Sequence, residues 1–243
     1  SPTFVLADAD IKMTAKRMVW AKFLNAGQTC VAPDYVLVDK TIEAQFIDAL
    51  KTELDNYPKT SNEQKENYLK LINTSHFDRL SKLINHNNVC FGGVVDREAR
   101  FISPTVLKNI SFEDDIMRDE IFGPILPVIA FTNLDDVVKK VKQRSKPLSC
   151  YIYSKNRKII NKLLKEISFG GGAINDSIMH LSNSNLPFGG VGLSGMGTYH
   201  GKFGFETFSH KKSILDKPFW LELNIKYAPY TKNKLKLIKW LLE

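Results

Sequence analysis

Cys30 is the residue of this 243-residue chain best placed by its neighbours to do chemistry. It stands in Asn25-Ala-Gly-Gln-Thr-Cys30-Val-Ala-Pro33, with a helix-like pattern running in and a strand-like pattern, Tyr35 to Val38, running out. Glycine and proline punctuate the stretch, so the thiol is expected on a fixed turn between two rigid elements. A free cysteine also packs well as a small apolar group. Asn, Gly, Gln and Thr, however, make a poor wall for a dry core and a good rim for a polar pocket. An ordinary thiol is only about 3% thiolate at pH 7, so a nucleophilic Cys30 has to be activated. The turn offers backbone N–H groups that hold an anion, first the thiolate and then an oxyanion. Cys90 and Cys150 lie in strand-like apolar runs and read as structural. Three widely spaced cysteines argue for a reducing compartment and against a disulfide framework.

Two further stretches carry candidate chemistry. In Glu120-Ile-Phe122-Gly-Pro124 an acid and an aromatic ring are offset by two, which on an extended loop puts both on one side. Leu186-Pro-Phe188-Gly-Gly190, followed by Gly192-Leu-Ser-Gly195-Met-Gly197, is glycine-rich and formally contains G-x-G-x-x-G from Gly190 to Gly195. It follows no clear strand, and Met196 to Gly201 cannot readily begin a stable helix, so it is not read as a dinucleotide fingerprint. The better reading is a loop whose glycines permit close packing beside the nucleophile. Phe188 is its candidate pocket wall, and Asn175, after the Gly170–Gly172 triplet, a candidate for orienting the same loops. His76, His86, His180, His200 and His210 form no metal-ligand spacing and no Cys/His cluster exists, so no metal site is expected.

The three stretches, in this order, resemble the aldehyde dehydrogenases. Asn25–Cys30 looks like the nucleophile segment, Glu120–Pro124 like the cofactor-contacting motif, and Leu186–Gly197 like the glycine-rich segment. Val31-Ala-Pro-Asp-Tyr35 is similar to the class 3 branch, which acts on fatty and aromatic aldehydes. The resemblance covers nearly the whole chain. It implies that Cys30 attacks an aldehyde to form a thiohemiacetal, that hydride passes to NAD or NADP, and that water releases a carboxylic acid from a thioester. Glu120 would accept hydrogen bonds from ribose hydroxyls and Phe122 would back that end of the cofactor. It also implies that the general-base glutamate lies before Ser1, with the cofactor-binding domain further upstream. The chain is therefore expected to be a catalytic portion, inactive alone, of an enzyme for aromatic or medium- to long-chain aliphatic aldehydes. A non-catalytic module of the same fold, serving assembly or binding, is the alternative.

The elements that must position these residues alternate. Strand patterns are expected at Thr3–Ala7, 35–38, 89–95, 101–106, 127–131, 148–153 and after Gly170. Helices are expected after Asp8 or Asp10, at 42–54, 68–85, 135–144 and 157–167, with a polar loop at 58–65. Ile159, Ile160, Leu163 and Leu164 should face inward. This order predicts an α/β fold of three layers, a largely parallel sheet flanked by helices. Residues 1–205 read as the catalytic domain, 206–216 as an oligomerisation strand and 217–243 as a basic amphipathic tail. By resemblance, the strand joins a neighbouring subunit's sheet to give a homodimer.

The net charge of +8 is concentrated in residues 207–243, which hold eight Lys and three acids. With no base-reading motif or basic groove, a nucleic-acid partner is not expected. No run approaches the ~20 apolar residues of a membrane span and no signal-peptide pattern opens the chain, so a cytoplasmic location is expected. The Lys-, Leu- and Trp-bearing tail suits an interfacial helix: either a lid on a neighbouring subunit or peripheral membrane contact.

Overall fold

The computed structural model describes residues 1–63 and 68–242. Its strands are β1 (Pro2–Val5), β2 (Tyr35–Asp39), β3 (Val89–Phe91), β4 (Val95–Asp96), β5 (Phe101–Ile102), β6 (Thr105–Leu107), β7 (Ile125–Phe131), β8 (Ser149–Tyr153) and β9 (Gly171–Ile174). Its helices are α1 (Ile11–Phe23), α2 (Glu43–Leu54), α3 (Thr74–Lys82), α4 (Leu134–Lys142), α5 (Arg157–Glu166), α6 (Gly201–Thr207) and α7 (Lys232–Leu242). Seven strands form one sheet in the order β3-β6-β7-β2-β1-β8-β9, and every pairing is parallel except β3 with β6. β4 and β5 make a separate antiparallel ribbon.

Strand alternation sends successive side chains to opposite faces and so builds two cores. Val5, Val36, Val38, Tyr151 and Tyr153 meet Met18, Val19 and Phe23 of α1 and Phe46 and Leu50 of α2. Phe4, Leu37, Cys150 and Ile152 meet Val137 and Val141 of α4 and Ile160 and Leu163 of α5. The sheet therefore lies between two helical layers, as the alternation of elements predicts. Asp10, rather than Asp8, caps α1, accepting from the Met13 N–H at 3.0 Å. Asp8 instead accepts from the Ser154 hydroxyl at 2.8 Å and the Lys155 N–H at 2.8 Å.

Three expectations need correction. The helix expected over 68–85 is only α3, because Asn73 caps it at the His76 N–H and the preceding chain is committed elsewhere. The Tyr68 hydroxyl donates to the Ile102 carbonyl at 3.1 Å and the Leu71 N–H to Arg100 at 3.0 Å. The strands expected at 89–95 and 101–106 each break in two where Gly92, at φ +75°, lies against the Pro104 carbonyl. Leu164 is 43% exposed, leaving Ile160 and Leu163 as the buried stripe of α5. Of the polar loop at 58–65, residues 64 and 65 lie outside the described residues.

Ser1–Phe208 form one compact unit and Ser209–Glu243 a second. Glu206 and Thr207 close α6 instead of opening a strand, and residues 209–218 carry no regular secondary structure within the chain. In the second unit α7 exposes Leu235, Leu237, Trp240, Leu241 and Leu242. No helix among the described residues is long and apolar enough to cross a membrane.

Candidate active site

The last turn of α1 leads directly into the Cys30 segment. The helix stops at Leu24, whose ψ of 132° leaves the helical region, and Asn25, Ala26 and Gly27 then adopt left-handed backbone conformations in succession, with φ of 56°, 53° and 71°. Asparagine tolerates that region, glycine is free to enter it, and Ala26 is carried between them. The polar residues that look like a pocket rim turn out to be clamps. The Asn25 side-chain amide donates to the Gln28 carbonyl at 2.8 Å. Gln28 Nε2 donates to the carbonyls of Asn25 and Lys70, both at 3.2 Å, while its Oε1 accepts from the Ile72 N–H at 2.9 Å.

Cys30 then emerges exposed. The Ala32 N–H donates to Thr29 at 2.9 Å, closing a turn around the thiol. The Cys30 carbonyl takes the Ser1 hydroxyl at 3.4 Å. Among the described residues the N–H groups of Cys30 and Val31 donate to no protein acceptor, which leaves them available to an anion at the sulfur.

Cys30 lines a cleft of about 820 Å³ together with Asp34, Tyr35, Glu120, Arg144 and Leu193. Glu120 is exposed along it, yet the surrounding protein, and after it the Asp34 charge, push its carboxyl above the ordinary range. Behind these acids lies Lys22, which is 1% exposed. Burial lowers its ammonium pKa to about 8, and Asp34 and Glu120 oppose that fall. Asp34 also accepts from the Ile121 N–H at 3.0 Å, tying the Cys30 segment to the Glu120 loop.

That loop is not extended, which corrects the expectation that Glu120 and Phe122 stand side by side. Phe122 has φ +53°, held there by His76 Nε2 donating to its carbonyl at 2.7 Å and by Arg79 donating to the Ile121 carbonyl at 2.5 Å. Its half-buried ring lies beside His76, with centroids 6.3 Å apart, and is not among the cleft walls. Cys30 and Glu120 share the cleft; Phe122 does not.

Phe188 is half-buried against the cluster of Ala21, Val31 and Ile178, and also lies outside the cleft walls. It is held by an antiparallel bridge to Tyr199. The glycine-rich segment begins no long helix: Gly192–Ser194 is one 3-10 turn, and Leu193 and Ser194 reach the cleft. Gly170 and Gly189 are in close backbone contact, since a Cβ on Gly170 would stand 2.0 Å from the Gly189 carbonyl oxygen. Asn175, at φ +56°, clamps Ser154 on both backbone groups (2.9 and 3.0 Å), and Arg17 donates to its carbonyl. Among the described residues no group of three or more His, Cys, Asp or Glu could hold a metal ion.

Sequence reasoning passed over Lys22, Asp34 and Tyr151, whose hydroxyl donates to the Val31 carbonyl at 2.6 Å. A signal existed for the first. Lys22 falls at i, i+3, i+4, i+7 with Ala15, Met18 and Val19, a charge on the core-facing stripe of α1.

A family model described as the aldehyde dehydrogenase family matches residues 1–214. The 4,4'-diaponeurosporen-aldehyde dehydrogenase of Staphylococcus aureus is 45% identical over 98% of this chain and 52% of its own length. The dimeric NADP-preferring aldehyde dehydrogenase of Rattus norvegicus is 44% identical over 89% of this chain and 48% of its own length. Among solved structures, the substrate-bound state of Staphylococcus aureus AldH superposes with a TM-score of 0.89 at 44% identity, covering 100% of this chain and 53% of that one. The chain thus spans about half the length of these relatives.

Proposed function

The chain belongs to the aldehyde dehydrogenase family, and from that premise we propose that it is the thiol-bearing portion of an enzyme oxidising aldehydes to carboxylic acids. The observation that carries this reading is the exposed Cys30 thiol, held on the cleft by a turn clamped on both sides, with Glu120 lining the same cleft. Cys30 Sγ attacks the carbonyl carbon, forming the C–S bond of a thiohemiacetal. The Cys30 N–H, left unspent by the protein, faces the developing oxyanion. Loss of hydride from that carbon leaves an acyl thioester on Cys30, and attack by water breaks the C–S bond, releases the acid and returns the thiol.

A carboxylate is an acceptor only, and Glu120 is exposed in the cleft that Cys30 also lines, so it fits the hydroxyls of a ribose. NAD or NADP, when bound, supplies a two-electron hydride acceptor. Phe122 supports that end through the backbone of its loop more than through its ring, given its place against His76. Activation of water is assigned to a group outside these residues. Glu120 is reserved for the cofactor, and the 243-residue chain alone is expected to be inactive.

The proposed substrate is an apolar aldehyde, aromatic or medium- to long-chain, and the proposed assembly a homodimer; the Staphylococcus aureus relative's name carries a 4,4'-diaponeurosporen-aldehyde and the Rattus norvegicus relative's the word dimeric. Residues 209–216 are the segment proposed to pair with a second subunit. A cytoplasmic location belongs to the same proposal, with the α7 tail available as a lid or as a peripheral membrane contact.

Replacing Cys30 by Ala in the full-length parent protein should abolish aldehyde-dependent NAD(P)H formation; undiminished turnover would refute the assignment. In this chain itself, iodoacetamide should modify Cys30 much faster than the half-buried Cys90. Equal rates would favour the non-catalytic alternative.

A further inference from the structure

The Cys30 turn is clamped along its approach by Asn25 and Gln28, but what holds it after the thiol comes from 120 residues away. Tyr151 is fully buried in the middle of β8, on the sheet face that packs against α1. Its hydroxyl donates to the Val31 carbonyl at 2.6 Å. The N–H of the same peptide unit, that of Ala32, donates to Thr29 at 2.9 Å. The Val31–Ala32 peptide plane, the second beyond Cys30, is thus bonded at both ends, which opposes its rotation. With its oxygen drawn inward to Tyr151, that plane cannot turn its negative end toward the sulfur. The phenol is fixed in turn, its ring edge-on to His180 at 5.9 Å, and His180 lies 6.4 Å from Phe188.

We infer that Tyr151 is a positioning residue: through the Val31 carbonyl it fixes the turn that keeps the Cys30 thiolate accessible and its N–H cradle oriented. Burial holds the phenol protonated well beyond neutral pH, so it stays a donor across the working range. Tyr153 provides an internal contrast. It is buried on the same face of the same strand, but its hydroxyl pairs with Ser177 at 2.8 Å and does not touch the turn.

The inference rests on the reading of Cys30 as the nucleophile, and thiol labelling of the 243-residue chain separates the two. Iodoacetamide modification of each cysteine would be followed by mass spectrometry from pH 6 to 10 in wild type, Tyr151→Phe and Tyr153→Phe. In Tyr151→Phe the labelling of Cys30 should slow about tenfold, with buried Cys150 still protected. Tyr153→Phe should leave the Cys30 labelling rate unchanged. An unchanged Cys30 rate in Tyr151→Phe, or equal slowing in both variants, would overturn the inference. Rapid labelling of Cys150 in Tyr151→Phe would overturn it too, by making Tyr151 a general fold residue. If wild-type Cys30 reacts no faster than Cys90, it is the nucleophile reading that fails.

Discussion

Gly27 lies so close to Gly123 that a Cβ on Gly27 would stand 2.3 Å from the Gly123 carbonyl oxygen. Two loops far apart in sequence, one leading to Cys30 and one bearing Glu120, meet here backbone to backbone. A side chain at Gly27 would also have to accept φ +71°, at about 1–2 kcal/mol. Gly27→Ala is therefore expected to lower the melting temperature and to slow Cys30 labelling, since the turn must move to relieve the overlap. Wild-type labelling in a folded Gly27→Ala chain would show that the two loops are not coupled.

The buried Lys22 gives the stability a pH dependence. Its folded pKa of about 8 lies below the unfolded value of 10.5. Between those values the unfolded chain still binds the proton that the folded chain has released, so stability rises with pH in that window. Fully realised, the difference amounts to about 3 kcal/mol. Urea unfolding at pH 7.5, 9 and 10 should show wild type gaining on Lys22→Met as pH rises. Parallel pH profiles for the two proteins would count against the burial of the ammonium as the cause.

Ser1–Phe208 and Ser209–Glu243 are separate compact units, and the first is expected to fold without the second. A chain of residues 1–208 should keep its circular dichroism and melt within a few degrees of the 243-residue chain. A collapse of the transition on truncation would mean that Ser209–Glu243 are part of the same cooperative unit.

Much of this arrangement was legible in the sequence because it depends on local pattern. Alternating apolar runs and amphipathic periods mark the sheet and its helical layers, and the glycine- and proline-flanked thiol marks a turn that lines the cleft. Where reading failed, the cause was long-range. Tyr68 and Leu71 have a helical pattern nearby but are drawn to Ile102 and Arg100, which no local signal announces. The i, i+2 argument for Glu120 and Phe122 assumed an extended loop, whereas His76 and Arg79 hold Ile121 and Phe122 in a turn. Asn25 and Gln28 are unsuited to a dry core, yet their amides bond backbone carbonyls and neither residue lines the cleft.

Asn175 allows backbone strain and hydrogen bonding to be told apart at one position. Its side chain accepts from the Ser154 N–H and donates to the Ser154 carbonyl, locking the end of β9 to the end of β8. Its φ of +56° is tolerable for asparagine and costly for alanine. Asn175→Ala loses two partly buried hydrogen bonds, each worth about 1 kcal/mol, and adds about 1 kcal/mol of left-handed strain. Asn175→Gly loses the same bonds without the strain, offset partly by the greater freedom of glycine in the unfolded chain. Chemical denaturation should thus rank wild type above Asn175→Gly and Asn175→Gly above Asn175→Ala, the last step being about 1 kcal/mol or less. If Ala and Gly proved equal and both cost the full 2–3 kcal/mol expected of Ala, the side-chain bonds to Ser154 would account for the whole effect. The left-handed backbone would then be carried at no cost by Arg17, which donates to the Asn175 carbonyl from α1.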